Sequence, residues 1–120
     1  MEPGNAIIAS DLSTAELRPS RNVVYDREIG VRLLHEDPLS GAEHYLIRYP
    51  PGLTSRLHRH TAAHTIVLLE GRLAVNGVVV GPGSYCHFFA GEAMRHEPVD
   101  DEGSLFVIIF DGPSDAEALE

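Results

Sequence analysis

Four of the seven histidines in this 120-residue chain are spaced as ligands of a single cation would be. His58 and His60 stand two apart in Arg56–His60, a run that reads as a strand, so both imidazoles leave the same face. His64 follows after Thr61-Ala62-Ala63 turns the chain into the next apolar run, and His96 lies far along the sequence in Met94–Val99. Imidazole is the commonest side-chain metal ligand and suits Zn, Cu, Fe and Ni. A lone histidine on a strand is ordinarily a surface or satisfied core residue. Four of them, drawn from separate stretches of chain, point instead to one divalent ion held by His58, His60, His64 and His96.

Other chemistries find less support. Cys86 is the only cysteine, which excludes an intrachain disulfide and a paired-cysteine zinc site. It reads as a small buried apolar residue, and its neighbour His87 leaves the opposite face of the strand, so the two form no local thiolate–imidazole dyad. Ser84 follows Gly81-Pro82-Gly83 without a nucleophile elbow. There is no phosphate loop and no dinucleotide fingerprint. All nine basic residues are arginine, so lysine-based Schiff-base chemistry is absent. His35 and His44 have no ligand-like spacing.

The elements that must position the histidines are short. Val23–Tyr25, Ile29–His35, Glu43–Tyr49, Arg56–His60, His64–Leu69, Leu73–Val75, Val78–Val80, Tyr85–Phe89, Met94–Val99 and Leu105–Phe110 read as strands broken by Gly, Pro and Asn. Asn76-Gly77 is the strongest hairpin signal, and Asp100–Gly103 reads as a turn. Only a hint of a short helix appears, at Ser13–Leu17. The pattern predicts an all-β jelly-roll barrel, since closing a sheet removes its exposed edges. Residues 1–22 are expected as an extension able to reach a partner's sheet edge in a homodimer, 23–111 as the barrel, and 112–120 as an acidic tail that frays. Tyr45, Ile47, Arg48, Ile66, Phe88 and Phe106 are expected to line or flank the barrel and shape a mostly apolar pocket. Arg48 stands out because a buried guanidinium needs an anionic partner.

Composition narrows the partners. A formal charge of −9 argues against nucleic acid and anionic membrane surfaces. No apolar run approaches the roughly 18 residues of a spanning helix, and Met1–Ser10 lacks a secretory pattern. A cytoplasmic protein acting on a small molecule is the expectation.

At the level of motifs the chain resembles the cupin superfamily. Gly52, five residues, His58-Arg59-His60, three residues, His64, six residues and Gly71 match the spacing of the first cupin motif. Gly81-Pro82-Gly83-Ser84 through Phe88-Phe89-Ala90-Gly91 to His96 is similar to the second. The texture is that of small single-domain, ChrR-type cupins. The resemblance implies a jelly-roll (double-stranded β-helix) fold, one divalent metal ion (Fe, Zn or Ni), and ligation by His58, His60, His64 and His96. It also marks two departures: His64 replaces the usual glutamate ligand, and Phe89 replaces a proline. Four neutral imidazoles leave a divalent site at net +2, a stronger Lewis acid that favours an anionic, enolate-like substrate. Alternatively His64 points away and the site has three histidines.

What the resemblance implies about activity divides three ways. One is dioxygenation of a diketone-like, oxygen-chelating substrate, as in diketone-cleaving cupins with His-only sites. Another is non-redox cyclisation or isomerisation, similar to the cupin polyketide cyclases, which also use a glutamine ligand that this chain does not contain. The third is a metal- or ligand-sensing module.

Overall fold

The computed structural model describes residues 6–99 and 101–120. The first five residues of the expected extension, and Asp100 of the expected turn, lie outside them. Eleven strands make up the described chain: β1 (Arg18–Ser20), β2 (Ile29–Glu36), β3 (Glu43–Tyr49), β4 (His58–His60), β5 (His64–Glu70), β6 (Leu73–Val75), β7 (Val78–Val80), β8 (Tyr85–Phe88), β9 (His96–Pro98), β10 (Ser104–Phe110) and β11 (Ala116–Ala118). No α-helix forms among the described residues; the expected helix at Ser13–Leu17 is a 3-10 turn over Leu12–Thr14, capped by the Asp11 carboxylate.

The strands assemble into a jelly roll. One sheet runs β1-β2-β3-β10-β5-β8, a second β7-β6-β9, and β11 pairs with β4. All ladders are antiparallel. Alternation decides which face is buried: along β5, His64, Ile66 and Leu68 point inward, and along β10 Phe106, Ile108 and Phe110 do so opposite them. Leu68, Ile66, Leu73 and Phe106 are almost completely buried, each contributing roughly 1.5–3 kcal/mol of hydrophobic burial.

Two turns show why glycine stands where it does. Asn76 and Gly77 both take positive φ, 48° and 85°, the geometry of a tight two-residue hairpin between β6 and β7. Gly71, which ends the first motif, has φ 74°, and a Cβ there would meet the Gly103 carbonyl oxygen at 2.0 Å. The β5–β6 and β9–β10 connections pass too closely for any side chain.

Two further sequence expectations fail. Val23–Tyr25 is a turn with one isolated bridge, Tyr25 to Ser55, because Asn22 closes it: its side-chain oxygen accepts from the Val24 amide at 3.1 Å and its carbonyl from the Tyr25 amide at 3.1 Å. The acidic tail does not fray, since β11 pairs with β4 in register Ala116 to His60 and Ala118 to His58. Within the expected extension, residues 18–20 pair with β2 as β1.

Candidate metal centre

Strand β4 is three residues long and carries two of the four histidines. It is held on both edges, by β11 on one side and on the other by the His58 bridge to Met94, with N···O distances of 2.9 and 2.7 Å. That double pairing fixes the shared face of His58 and His60. His64 opens β5, where it faces Phe110 of β10 and Phe88 of β8 across the sheet. His96 begins β9 opposite Val75 of β6.

These elements bring the four rings together. One nitrogen from each of His58, His60 and His96 falls within a group spanning at most 4.8 Å. Ring centroids lie 5.1 Å apart for His58 and His60, and 5.3 Å for His58 and His96. His64 sits at the edge of the group with its centroid 4.6 Å from that of His60, and it is not one of the three clustered ligands. It stacks on Phe88 at 4.8 Å and lies against Phe110 at 5.1 Å.

Electrostatics prepare the rings as ligands. Burial lowers the pKa of all four; neighbouring imidazoles add to the shift for His60, His64 and His96, and the Arg95 charge for His58. His60 is pushed down to about 3 and His64 to about 4. Near neutrality the cluster is uncharged, with lone pairs available.

The hydrogen-bond inventory tests whether a cation fits. The Nε2 atoms of His58, His60, His64 and His96 are all buried without a partner. Each unsatisfied buried polar atom costs about 1–3 kcal/mol, so the three that converge, on His58, His60 and His96, call for a shared partner. Behind two of them the other nitrogen is engaged: His58 Nδ1 meets the Arg56 carbonyl at 2.7 Å, and His96 Nδ1 meets the Tyr49 hydroxyl at 2.6 Å. Such outer bonds orient metal-binding imidazoles. The donor set fits one divalent ion.

A cavity of about 240 Å³ opens onto His60 and His96. Its walls mix apolar side chains, Ile29, Ile47, Phe106, Ile108 and Phe110 among them, with the polar Ser20, Asn22, Tyr25, Glu43, Tyr45, Tyr49 and Ser114. A larger cleft of about 550 Å³ between residues 16–20 and β2 shares Tyr45 but reaches no histidine. Chemistry therefore belongs to the smaller one. Burial pushes the Tyr25 phenol up to about 12 and Tyr49 well above its ordinary value, so both keep their protons.

The expected pocket residues divide. Tyr45, Ile47 and Phe106 line the cavity. Ile66 is fully buried opposite Ile108 and Cys86, and Phe88 packs on His64 rather than lining the cavity. Arg48 is a correction: its side chain is 40% exposed and pairs with Glu70 at 3.5 Å. Strand parity explains this, since Tyr45, Ile47 and Tyr49 share the inner face and Arg48 must leave the other. The same parity would have found Tyr49. Tyr25 lies in a turn and had no periodic signal. Cys86 is half-buried against the core, His87 is exposed and bonds Thr65 at 2.9 Å, and His35 stacks edge-on with His44 at 5.4 Å.

Fold and site together define a cupin with a histidine-only cluster able to hold a metal ion. The chain belongs to the ChrR cupin-like domain family, whose model matches residues 9–115. No curated protein matches it in sequence. Among solved structures it is similar to an acetylacetone dioxygenase from Acinetobacter johnsonii, with TM-score 0.76 and 19% identity over 100% of this chain and 87% of that one. It is also similar to the polyketide cyclase RemF from Streptomyces resistomycificus, with TM-score 0.75 and 16% identity over 96% and 87%. A cupin-like protein from Thermotoga maritima gives TM-score 0.75 and 15% identity over 87% and 86%. No helix among the described residues is long and apolar enough to cross a membrane.

Proposed function

We propose that this cupin is a metal-dependent enzyme of the dioxygenase type, acting on a small enolisable substrate that chelates through neighbouring oxygens, such as a 1,3-diketone. The observation that carries the reading is the convergence of partnerless buried Nε2 atoms beside a cavity that His60 and His96 line. His58, His60 and His96 would hold the ion, with His64 as a fourth ligand. When bound, a divalent ion there supplies Lewis acidity toward substrate oxygens and, as Fe²⁺, reducing electrons for reaction with dioxygen.

The residues of the chain do the rest. The bonds behind His58 and His96 keep two ligands aimed. Ile47, Phe106, Ile108 and Phe110 exclude water, which strengthens every electrostatic interaction inside. The metal-ligating cluster contains no carboxylate, so an ion held there keeps its charge and favours an enolate over the neutral diketone.

Elemental analysis of protein purified without chelator, followed by oxygen uptake with Fe²⁺ over a panel of 1,3-diketones, tests this. Near-stoichiometric metal and diketone-dependent uptake are expected. Metal-free protein that takes up none on loading would overturn the site; bound metal with no uptake on any diketone would overturn the oxygenase reading. The second reading, non-redox cyclisation or isomerisation, draws on the fourth imidazole His64 beside the cluster. It predicts turnover with Zn²⁺ in the absence of oxygen.

A further inference from the structure

Three polar atoms run in a line from the histidine cluster to the cavity wall. His96 Nδ1 lies 2.6 Å from the Tyr49 hydroxyl, which lies 2.5 Å from the Tyr25 hydroxyl. Tyr25 and Tyr49 both line the cavity. At His58 the equivalent atom faces a carbonyl, which only accepts, so Nδ1 carries the proton whether or not an ion is present. At His96 the partner is a hydroxyl that donates or accepts, and the direction of the chain is open.

Ion binding settles that direction. An imidazole that gives its Nε2 lone pair to a cation keeps its proton on Nδ1 and donates it to Tyr49. The Tyr49 hydroxyl, now an acceptor from His96, has one proton left and directs it to Tyr25. Tyr25 then accepts from Tyr49, and its own O–H has no other partner among the described residues. With the proton on Nε2 instead, the line runs backward and Tyr25 donates to Tyr49.

We propose that Tyr25 is a substrate-orienting residue, which donates a hydrogen bond into the cavity to an anionic oxygen of the substrate once the histidines hold their ion. The inference rests on the metal-site reading and deepens it: the ligand must bring a second oxyanion-type contact, as an enolate does and a simple nitrogen ligand does not. Filling the metal site also precedes and organises the substrate site.

The test uses Co²⁺-loaded protein, kept anaerobic and titrated with acetylacetone and, separately, with imidazole, following the visible cobalt bands. Tyr25→Phe is expected to bind Co²⁺ as tightly as the parent, to bind imidazole equally, and to bind acetylacetone about tenfold more weakly, the loss for one hydrogen bond to a charged acceptor. Tyr49→Phe is expected to act differently, weakening Co²⁺ itself about 10–100-fold. Unchanged acetylacetone affinity in Tyr25→Phe would overturn the proposal. So would an equal loss for imidazole and acetylacetone, or a loss of Co²⁺ binding, either of which assigns Tyr25 a merely structural part. Parent protein that binds no Co²⁺ would fail at the earlier step, the metal site, and take this inference with it.

Discussion

The two flanks of the histidine cluster are built on different physics. On the His58 and His96 side, each ring is aimed by a hydrogen bond: His58 Nδ1 donates to the Arg56 carbonyl at 2.7 Å, and His96 Nδ1 bonds with the Tyr49 hydroxyl at 2.6 Å. On the other side, His60 lies against Phe110 at 5.2 Å, and His64 is held between Phe88 and Phe110. The carbonyl behind His58 sets both orientation and tautomer, whereas the hydroxyl behind His96 sets orientation and leaves the tautomer to the ion. Aromatic packing sets the plane of a ring and leaves open which nitrogen carries the proton. The first flank is therefore aimed by hydrogen bonds, with His58 fixed in tautomer as well, whereas the second is positioned by packing alone and takes its tautomer from whatever binds.

Breaking the directed flank at the ligand itself has the largest expected effect. His96→Ala removes a ligand nitrogen, and metal content by elemental analysis is expected to fall by more than the hundredfold typical of outer-bond losses. Retained stoichiometric metal would remove His96 from the site. Next comes the contrast between Phe110→Ala and Tyr49→Phe. Phe110 is 9% exposed and touches His60, His64 and Tyr45, so its loss is expected to cost about 3–5 kcal/mol in denaturant unfolding. Tyr49→Phe keeps the ring packed on Phe106 and deletes one hydroxyl, at about 1 kcal/mol of stability, while weakening metal. If both variants lose stability and metal in the same proportion, the two flanks are not distinct.

Acid sharpens the comparison. In the folded chain His60 titrates near about 3 and His64 near about 4, whereas an unfolded histidine titrates near 6.5. Between those values the unfolded chain binds more protons, so acid favours unfolding. Metal-free stability is expected to be level above about pH 6.5 and to fall steadily toward pH 3, measured by urea unfolding at stepped pH. A curve that stays level down to pH 4 would show the rings to be more solvated than their burial implies. The smallest effect is expected at the β4–β11 pair: Arg59 pairs with Glu117 at 3.0 Å across it, both side chains about half-exposed. Arg59→Ala is expected to cost no more than about 1 kcal/mol, with metal content unchanged.

Much of this is legible in the sequence, and the departures have distinct physical causes. The His58–His60 alternation, the Asn76-Gly77 hairpin and the strands Glu43–Tyr49 and Leu105–Phe110 all carry local signals, and each appears in the fold within a residue or so. Arg48 follows Ile47 directly and so cannot share the face of Tyr45 and Ile47, as strict alternation along β3 requires. The tail Ala116–Ala118 is too short and polar to announce a strand; its pairing comes from the open edge of β4. Val23–Tyr25 has a strand's composition, and the Asn22 side chain turns it.

By itself the sequence determined the fold class, the common face of His58 and His60, and the Asn76-Gly77 turn, because each follows from local pattern along the chain. A period of two says which residues share a face and is silent on which face turns inward. That choice, and with it the meeting of His96 with His58, the seating of His64 between two phenylalanines, and the line from His96 through Tyr49 to Tyr25, belongs to the tertiary structure. Those contacts join residues 24 to 47 positions apart, and only the closing of the barrel brings them together.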